Sequence, residues 1–169
     1  DFRKVSAHTM TALPERKVAG SNTVVKADAD DACAFIGEMA SGVQVSVHLS
    51  RVPYGSNCHR IEVYGSNGAL VYHADPKDGT WISGRMQGAK AGDKVLTDMP
   101  IPERLRDGLD THDLGAAVGN FLFAHLAQRF IHGVRTGQSV TPSFFEGVKS
   151  QEVLDALVQS AAAQRWVEL

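Results

Sequence analysis

One group of ionisable residues, Asp110-Thr111-His112-Asp113, directly precedes a long helical pattern. A carboxylate beside a histidine raises the histidine pKa and can prepare the ring for acid–base work. Aspartate and threonine are also good helix N-caps, and aspartate is favoured at the positive end of a helix. Both interpretations stay open, with helix capping the simpler one.

A second polar group follows a predicted strand and surrounds Pro53 and Gly55. Its side chains can form the hydrogen bonds that a sugar or polyol requires: Arg51, Tyr54, Asn57 and His59. An ordinary surface turn has a similar composition. Two interpretations of this loop stay open, hydrogen bonding to a sugar or polyol and an exposed turn.

The histidines and cysteines do not follow a pattern typical of a metal site or of a disulfide framework. His125 and His132 are about two helical turns apart, so they share a face but are too distant for one ion. No H-E-x-x-H and no paired C-x-x-C occurs. Cys33 lies in an apolar run and is expected to be buried, whereas Cys58 lies in a polar loop. We expect no metal, and a reducing, cytoplasmic location fits best.

The common nucleotide-binding and nucleophile motifs are also absent. Gly84, Gly88 and Gly92 are spaced by four residues, which differs from the G-x-G-x-x-G of a dinucleotide-binding loop. Neither a G-x-x-x-x-G-K-[ST] phosphate loop nor a G-x-S-x-G nucleophile elbow occurs. We therefore expect no cofactor site and no complete catalytic site within these residues.

Bulk properties exclude several classes of partner. The 169 residues have a net charge of −2 and scattered basic residues, which argues against nucleic acid or anionic lipid as a partner. No apolar run is long enough to cross a bilayer, and no signal-peptide pattern opens the sequence. The sequence enters strand-like residues directly after Asp1, which suggests a piece of a longer protein.

Period-two patterns predict several antiparallel strands. Runs from Phe2 to Thr9 and from Asp31 to Met39 are followed by Val43 to Leu49, in which valines alternate with Gln44, Ser46 and His48. Two runs around Gly65-Ser-Asn-Gly68 predict a hairpin. Further strands are predicted at 80–83 and 94–99, joined by a flexible connection over 84–92. The polar sheet face that follows, with Gln44, His48, Arg60 and Tyr64, is a candidate oligomer face.

Two amphipathic helices and a short strand close the sequence. The first carries an apolar face from Phe123 to Val134 and ends near Gly137. The second begins at Ser143 with Glu146 in a capping box, and its predicted apolar stripe is Val153, Leu154, Leu157, Val158 and Ala161. Residues 166–169 read as a last strand. The predicted fold is α+β, a single domain over 1–169 with helices on one face of an open, mainly antiparallel sheet.

Three segments in this order resemble the Gfo/Idh/MocA dehydrogenases, the glucose–fructose oxidoreductase and inositol dehydrogenase family. Ile61-Glu-Val-Tyr-Gly-Ser-Asn-Gly-Ala-Leu70 is similar to the family's E-V-Y-G-(S/T)-x-G-A-L hairpin. Phe130-Ile-His-Gly-Val-Arg-Thr-Gly137, then Pro142 and Glu146-Gly147, is similar to its F-x-x-A-I-R-x-G…P…(D/E)-G segment, with Gly133 where alanine is usual. The end of the sequence resembles the family's closing helix and strand.

The resemblance implies the C-terminal domain of a two-domain oxidoreductase. In the family a Rossmann domain binds NAD or NADP and carries an E-K-P lysine, and a D-x-x-x-H helix supplies an aspartate and a histidine. Neither motif occurs here, so the catalytic residues are expected upstream of Asp1. The resemblance implies a substrate pocket shared with the Rossmann domain, a homo-oligomer formed through the open sheet, and a sugar, polyol or related hydroxy compound as substrate. It leaves Arg51 and Tyr54, at the end of a predicted strand, and His112, in the loop before the first helix, as candidate substrate or interdomain contacts. The alternative is a non-catalytic α+β binding or assembly module.

Overall fold

The computed structural model describes residues 1–52, 58–75, 77, 84–105, 113 and 117–169. The chain divides into two compact units, one formed by Asp1–Pro53 with Thr141–Leu169 and the other by Tyr54–Val140. This division does not decide whether the units fold together, so the single-domain assignment stays a prediction.

The structure contains the predicted main strands and two long helices, together with strands at 15–17, 24–26 and 85–90 that the sequence patterns did not predict. The strands are β1 (Phe2–Met10), β2 (Glu15–Lys17), β3 (Val24–Lys26), β4 (Ala32–Met39), β5 (Gln44–Ser50), β6 (His59–Gly65), β7 (Gly68–Ala74), β8 (Arg85–Lys90), β9 (Thr97–Asp98) and β10 (Val167–Glu168). The helices are a 3-10 turn (Glu103–Leu105), a π-helical turn (Ala117–Leu122), α1 (Phe123–Thr136) and α2 (Phe144–Ala163).

The first unit contains an antiparallel sheet of order β10-β1-β4-β5 and a separate β2–β3 hairpin. The expected alternation is present from Gln44 to His48, where Val45 and Val47 are half-buried and Gln44, Ser46 and His48 are exposed, but it was wrong for Leu49, which is 59% exposed. Helix α2 packs on β1. A small core lies between them, formed by Val5, Ala156 and Leu157, with Phe2, Ala7, Cys33, Phe35, Val153 and Val167 packed around it. The α+β prediction, with an open sheet and a helix on one face, is confirmed.

Helix α2 begins as its sequence predicts but buries a different face. The Ser143 hydroxyl accepts the Phe145 N–H at 3.1 Å, and the Glu146 carboxylate accepts the Ser143 N–H at 2.6 Å. Leu154 and Val158, assigned to the buried stripe, are 54% and 64% exposed. Ala156 and Ser160 are buried in their place. The stripe prediction was wrong at these positions because the helix face that packs on β1 is centred on Ala156, Leu157 and Ser160.

The second unit contains an antiparallel sheet of order β6-β7-β8-β9, with Val71 and Ala74 buried. The predicted hairpin is confirmed: Gly65 pairs with Gly68, and Ser66 and Asn67 form the loop. Gly68 has a φ of +145°, and a Cβ at this position would lie 2.0 Å from the Ala89 carbonyl oxygen. Glycine is therefore required where β7 meets β8.

The predicted flexible connection over residues 84–92 was wrong, since it contains strand β8 between β7 and β9. Its sequence lacks an alternating apolar pattern, and its Gly88 suggested a loop. In the sheet a Cβ on Gly88 would lie 2.3 Å from Met99 Sδ and 3.2 Å from a Leu70 methyl carbon, so glycine permits close packing. The strand predicted over 94–99 is reduced to Thr97–Asp98, and the one predicted over 80–83 lies outside the described residues.

Helix α1 ends at Gly137, which has a φ of +66° as its C-cap. The helix runs without interruption through Gly133. A Cβ on Gly133 would lie 3.0 Å from the Gln138 carbonyl oxygen and 3.2 Å from a Val140 methyl carbon. Glycine at this position therefore lets the segment after the helix fold back against it.

Candidate functional site

Three chain segments meet at one end of the first sheet. Strand β4 is antiparallel to both β1 and β5, so the start of β4 lies beside the ends of the other two strands. The register there pairs Met10 with Ala32 and Ala32 with Ser50. Asp31 precedes this row and Arg51 follows it, which brings a buried carboxylate and an exposed guanidinium group to the same end of the sheet.

Asp31 is the most heavily bonded residue of this end, and only 3% of its surface is exposed. One carboxylate oxygen accepts the Leu13 N–H at 2.9 Å, and the other accepts a hydrogen bond from the Arg16 guanidinium. The Leu13 amide and then the Arg16 guanidinium hold the pKa of this carboxyl below its usual value, against the opposing effect of burial. The Asp31 backbone also donates to the Met10 carbonyl at 2.8 Å.

Arg51 was predicted as a substrate or interdomain contact, and the structure places it directly after β5 as an exposed residue. Its N–H donates to the Asp31 carbonyl oxygen at 2.8 Å. The next amide, of Val52, donates to the Ser50 hydroxyl at 3.3 Å. Tyr54 and His112, the other two predicted contacts, lie outside the described residues. Their roles stay predictions.

Sequence reasoning missed Asp31. It treated the residue as the start of a strand, although three of the four residues from Asp28 to Asp31 are acidic. An acidic residue directly before a buried strand is the signal that could have marked a carboxylate with hydrogen-bond partners, because charged groups are buried only when they are paired.

The face of the first sheet opposite α2 carries small and polar side chains. Successive rows across β1, β4 and β5 are Lys4–Glu38–Gln44, Ser6–Ile36–Ser46 and His8–Ala34–His48. The small residues leave a shallow depression flanked by the two histidines. Glu38 forms ion pairs with Lys4, at 3.2 Å, and with Arg3, and its pKa is lowered, chiefly by the hydrogen bond from Lys4. Gln44 and His48, predicted on an oligomer face, are exposed here.

Arg60 and Tyr64, the other two residues of the predicted oligomer face, lie in β6 of the second unit. Their side chains both bond to Glu62: the Tyr64 hydroxyl donates to it at 2.6 Å, and the Arg60 guanidinium donates to its other oxygen. The bond from Tyr64 is the main reason that the Glu62 pKa is lowered, and the same bond raises the pKa of Tyr64. Tyr64 is 71% exposed.

The glycines and the metal-ligating residue types of the described part can be placed in the structure. Gly84 and Gly88 are used in sheet packing, since a Cβ at either would meet the Tyr72 ring or Met99, and neither forms a cradle for phosphate groups. Among the residues that the structure describes, no three histidine, cysteine, aspartate or glutamate side chains are grouped to hold a metal. None of the described helices combines the length and apolar composition that a membrane span needs.

Cys33 and Arg51 differ in the chemistry that they offer. Cys33 packs beside the core under α2, and burial raises the pKa of its thiol, which disfavours the nucleophilic thiolate. Arg51 can donate to hydroxyl or carboxylate oxygens of a ligand.

Residues 2–169 match a family model described as "Oxidoreductase family, C-terminal alpha/beta domain". The chain is 25% identical over 183 aligned residues to a levoglucosan dehydrogenase of Pseudarthrobacter phenanthrenivorans. The alignment covers all of this chain and 47% of that protein. It is also 23% identical to an uncharacterized oxidoreductase of Synechocystis, covering 98% of this chain and 43% of that protein. The chain thus spans less than half the length of these curated relatives.

Solved structures agree with this match. A levoglucosan dehydrogenase in complex with NADH and L-sorbose superposes with a TM-score of 0.78 at 26% identity, over 99% of this chain and 44% of that one. A levoglucosan dehydrogenase with NADH and levoglucosan gives a TM-score of 0.76 at the same identity, over 100% of this chain and 45% of that one.

Proposed function

Because the chain belongs to the Gfo/Idh/MocA oxidoreductases as their C-terminal alpha/beta domain, we propose that it forms one wall of a dehydrogenase substrate pocket. The whole enzyme would use NAD or NADP and oxidise a sugar, polyol or related hydroxy compound. Support for the substrate class comes from the similarity to levoglucosan dehydrogenases, which were solved with NADH and with L-sorbose or levoglucosan.

The observation that carries the proposal is the position of Arg51 at the end of β5. Its guanidinium group is exposed, always charged and able to donate several hydrogen bonds, while its backbone is held to Asp31. Such a group can bind and orient hydroxyl oxygens without taking part in hydride transfer. The chemistry of oxidation belongs to the cofactor and to catalytic residues that we expect upstream of Asp1.

Substituting Arg51 in the full-length enzyme tests this role. A panel of sugars and polyols that includes levoglucosan is assayed with NAD+ and NADP+. Arg51→Ala should raise KM about tenfold or more, as expected for a lost charge-assisted hydrogen bond. Arg135→Ala, which removes an exposed arginine at the end of α1, should leave KM unchanged. An unchanged KM in Arg51→Ala for every oxidised compound would remove Arg51 from the pocket.

A titration with NADH separates the cofactor prediction from the substrate prediction. The full-length protein should bind NADH, and the 169-residue chain should not. Saturable binding by the chain alone would contradict the assignment of the cofactor site to the upstream residues. If the upstream coding sequence contains no strand–G-x-G-x-x-G–helix segment and no E-K-P motif, a non-catalytic assembly module becomes the better description.

Self-association through the open face of the first sheet is the second part of the proposal. The rows with His8 and His48 expose polar and small side chains in the pattern expected of a wet, polar interface. His48→Glu places a carboxylate on the part of this face that the edge strand β5 forms and should shift the protein to a later elution volume on sizing. Gln159→Glu, a charge on the exposed side of α2, should have no effect. An unchanged elution volume in His48→Glu would exclude this face.

A further inference from the structure

We infer that Asp31 is a positioning residue that anchors the β2–β3 hairpin at the same end of the first sheet as Arg51, so that hairpin and Arg51 together shape the substrate side. The inference rests on the proposed function. Asp31 does not need to touch the substrate for this role, since it acts through the two segments that it holds.

The hairpin needs an anchor because it is small and exposed. Strands β2 and β3 have three residues each, and all six are exposed. A two-stranded hairpin of this kind is marginally stable in water. Backbone bonds close it on itself, from Val18 N–H to the Thr23 carbonyl at 2.9 Å and from Ala27 N–H to the Pro14 carbonyl at 2.8 Å.

Bonds to Asp31 tie the hairpin to the sheet. The Leu13 N–H lies just before β2 and the Arg16 guanidinium belongs to β2 itself, and both donate to the Asp31 carboxylate. One further bond, from the Thr11 hydroxyl to the Ala29 carbonyl at 3.3 Å, joins the two stems of the loop. The carboxylate is therefore the charged centre of the attachment between this hairpin and the sheet.

Only an ionised carboxylate suits this position well. Both partners are donors, and a carboxylate has two acceptor oxygens and no hydrogen. Asparagine has nearly the same shape but carries an NH2 group in place of one oxygen, which would face either the Leu13 N–H or the Arg16 guanidinium. Asp31→Asn therefore places an NH2 donor opposite another N–H donor, while the volume of the side chain stays nearly the same.

The same residue holds Arg51 through its backbone. The Asp31 carbonyl accepts the Arg51 N–H, and the Asp31 N–H donates to the Met10 carbonyl, both at 2.8 Å. A displacement of Asp31 therefore moves the attachment of Arg51 as well as that of the hairpin. The hairpin follows the end of β1, and Arg51 follows the end of β5. Because these two strand ends lie at the same end of the sheet, the hairpin is placed to cover a ligand bound by Arg51.

Limited proteolysis of the full-length enzyme measures the anchoring directly. Trypsin can cleave the hairpin after Arg16, Lys17 and Lys26, and mass spectrometry identifies each cut. Asp31→Asn should increase the cleavage rate at Lys17 and Lys26 on the order of tenfold, the change expected for a lost charge-assisted bond. Asp28→Asn makes the same chemical change at an exposed residue of the same loop and should leave the rate unchanged.

Steady-state kinetics test whether the anchoring by Asp31 affects substrate binding. The substrate is the compound of the panel with the highest kcat/KM. Asp31→Asn should raise KM several-fold with a smaller effect on kcat, and Asp28→Asn should change neither. Arg16→Gln keeps the bond from Leu13 and should move cleavage and KM in the same direction by a smaller amount. This second variant gives the answer if Asp31→Asn does not fold.

The outcomes are distinguishable. Faster cleavage with an unchanged KM in an active enzyme overturns the inference and leaves the proposed function intact. Unchanged cleavage in both Asp31→Asn and Arg16→Gln also overturns it. If the wild-type enzyme oxidises no compound of the panel with either nicotinamide cofactor, the proposed function fails, and the inference fails with it.

Discussion

Ser160 offers a sharp test of how α2 is held on the first sheet. Its side chain is fully buried, its hydroxyl accepts the Ala7 N–H at 2.9 Å, and the same hydroxyl donates to the Arg165 carbonyl at 2.6 Å. Strand β10 pairs with β1 at Lys4 and Val5. The Ser160 hydroxyl thus accepts the Ala7 N–H, which would donate to a β10 carbonyl if β10 continued further along β1.

The expected cost of Ser160→Ala follows from these two bonds. The substitution leaves a part-buried amide and a carbonyl without their partner, and an unsatisfied buried polar group costs about 1–3 kcal/mol. Alanine has a better helix propensity than serine, which offsets up to about 0.5 kcal/mol. We expect the free energy of unfolding to fall by about 2 kcal/mol, a large fraction of the stability of a chain this size.

Urea unfolding of the 169-residue chain, followed by circular dichroism, measures this change. Ser150→Ala is the matched control because Ser150 lies in the same helix, is exposed, and bonds to the Glu146 carbonyl. The control should change the free energy of unfolding by less than about 0.5 kcal/mol. Hydrogen exchange gives a local measure: the Ala7 amide should lose protection in Ser160→Ala. Equal effects of the two substitutions, or a protected Ala7 amide in the variant, would refute the reasoning.

Three further predictions concern a cap, a glycine and a carboxylate. Ser143→Ala removes the acceptor at the start of α2 and should lower the free energy of unfolding by about 1 kcal/mol in urea titration; a loss within error would mean that Glu146 caps the helix alone. Gly68→Ala combines a positive φ with a contact to the Ala89 carbonyl and should cost about 2 kcal/mol or more by the same assay; near-neutral behaviour would contradict the close approach of β7 to β8. The Asp31 pKa is lower in the folded state, so its stabilisation is present above the unfolded pKa and is lost as pH falls through the folded pKa. The stability difference between wild type and Asp31→Asn should therefore shrink below about pH 4, and a difference that grows on acidification would reverse the sign of the argument.

Features that depend on neighbouring residues were predictable. The capping box at Ser143, the C-cap at Gly137 and the loop of the β6–β7 hairpin all involve partners within a few positions, so the local pattern identifies them. Alternation in β5 likewise predicted which side chains face solvent, because successive residues of a strand point to opposite faces. The resemblance to the family rested on these same segments.

Sequence reasoning missed or wrongly predicted the features that depend on partners distant in the sequence. Strand β8 has no apolar alternation of its own and exists because β7 and β9 pair on either side of it. Leu154 and Val158 follow a good helical stripe, yet Ala156 and Ser160 face the sheet, since the separation of α2 from β1 decides which side chains fit.

By itself, the sequence determined the order of the main strands and the two long helices, the cap residues at Ser143 and Gly137, the α+β class and the absence of the common cofactor motifs, because each follows from short-range pattern and chemistry. Only the tertiary structure decided that Asp31 joins the hairpin to the sheet end that carries Arg51. It also decided that Ser160 bonds to an amide far away in the sequence. A buried polar group must find its partner in space, and that partner is set by how the strands and helices pack, which no spacing along the chain records.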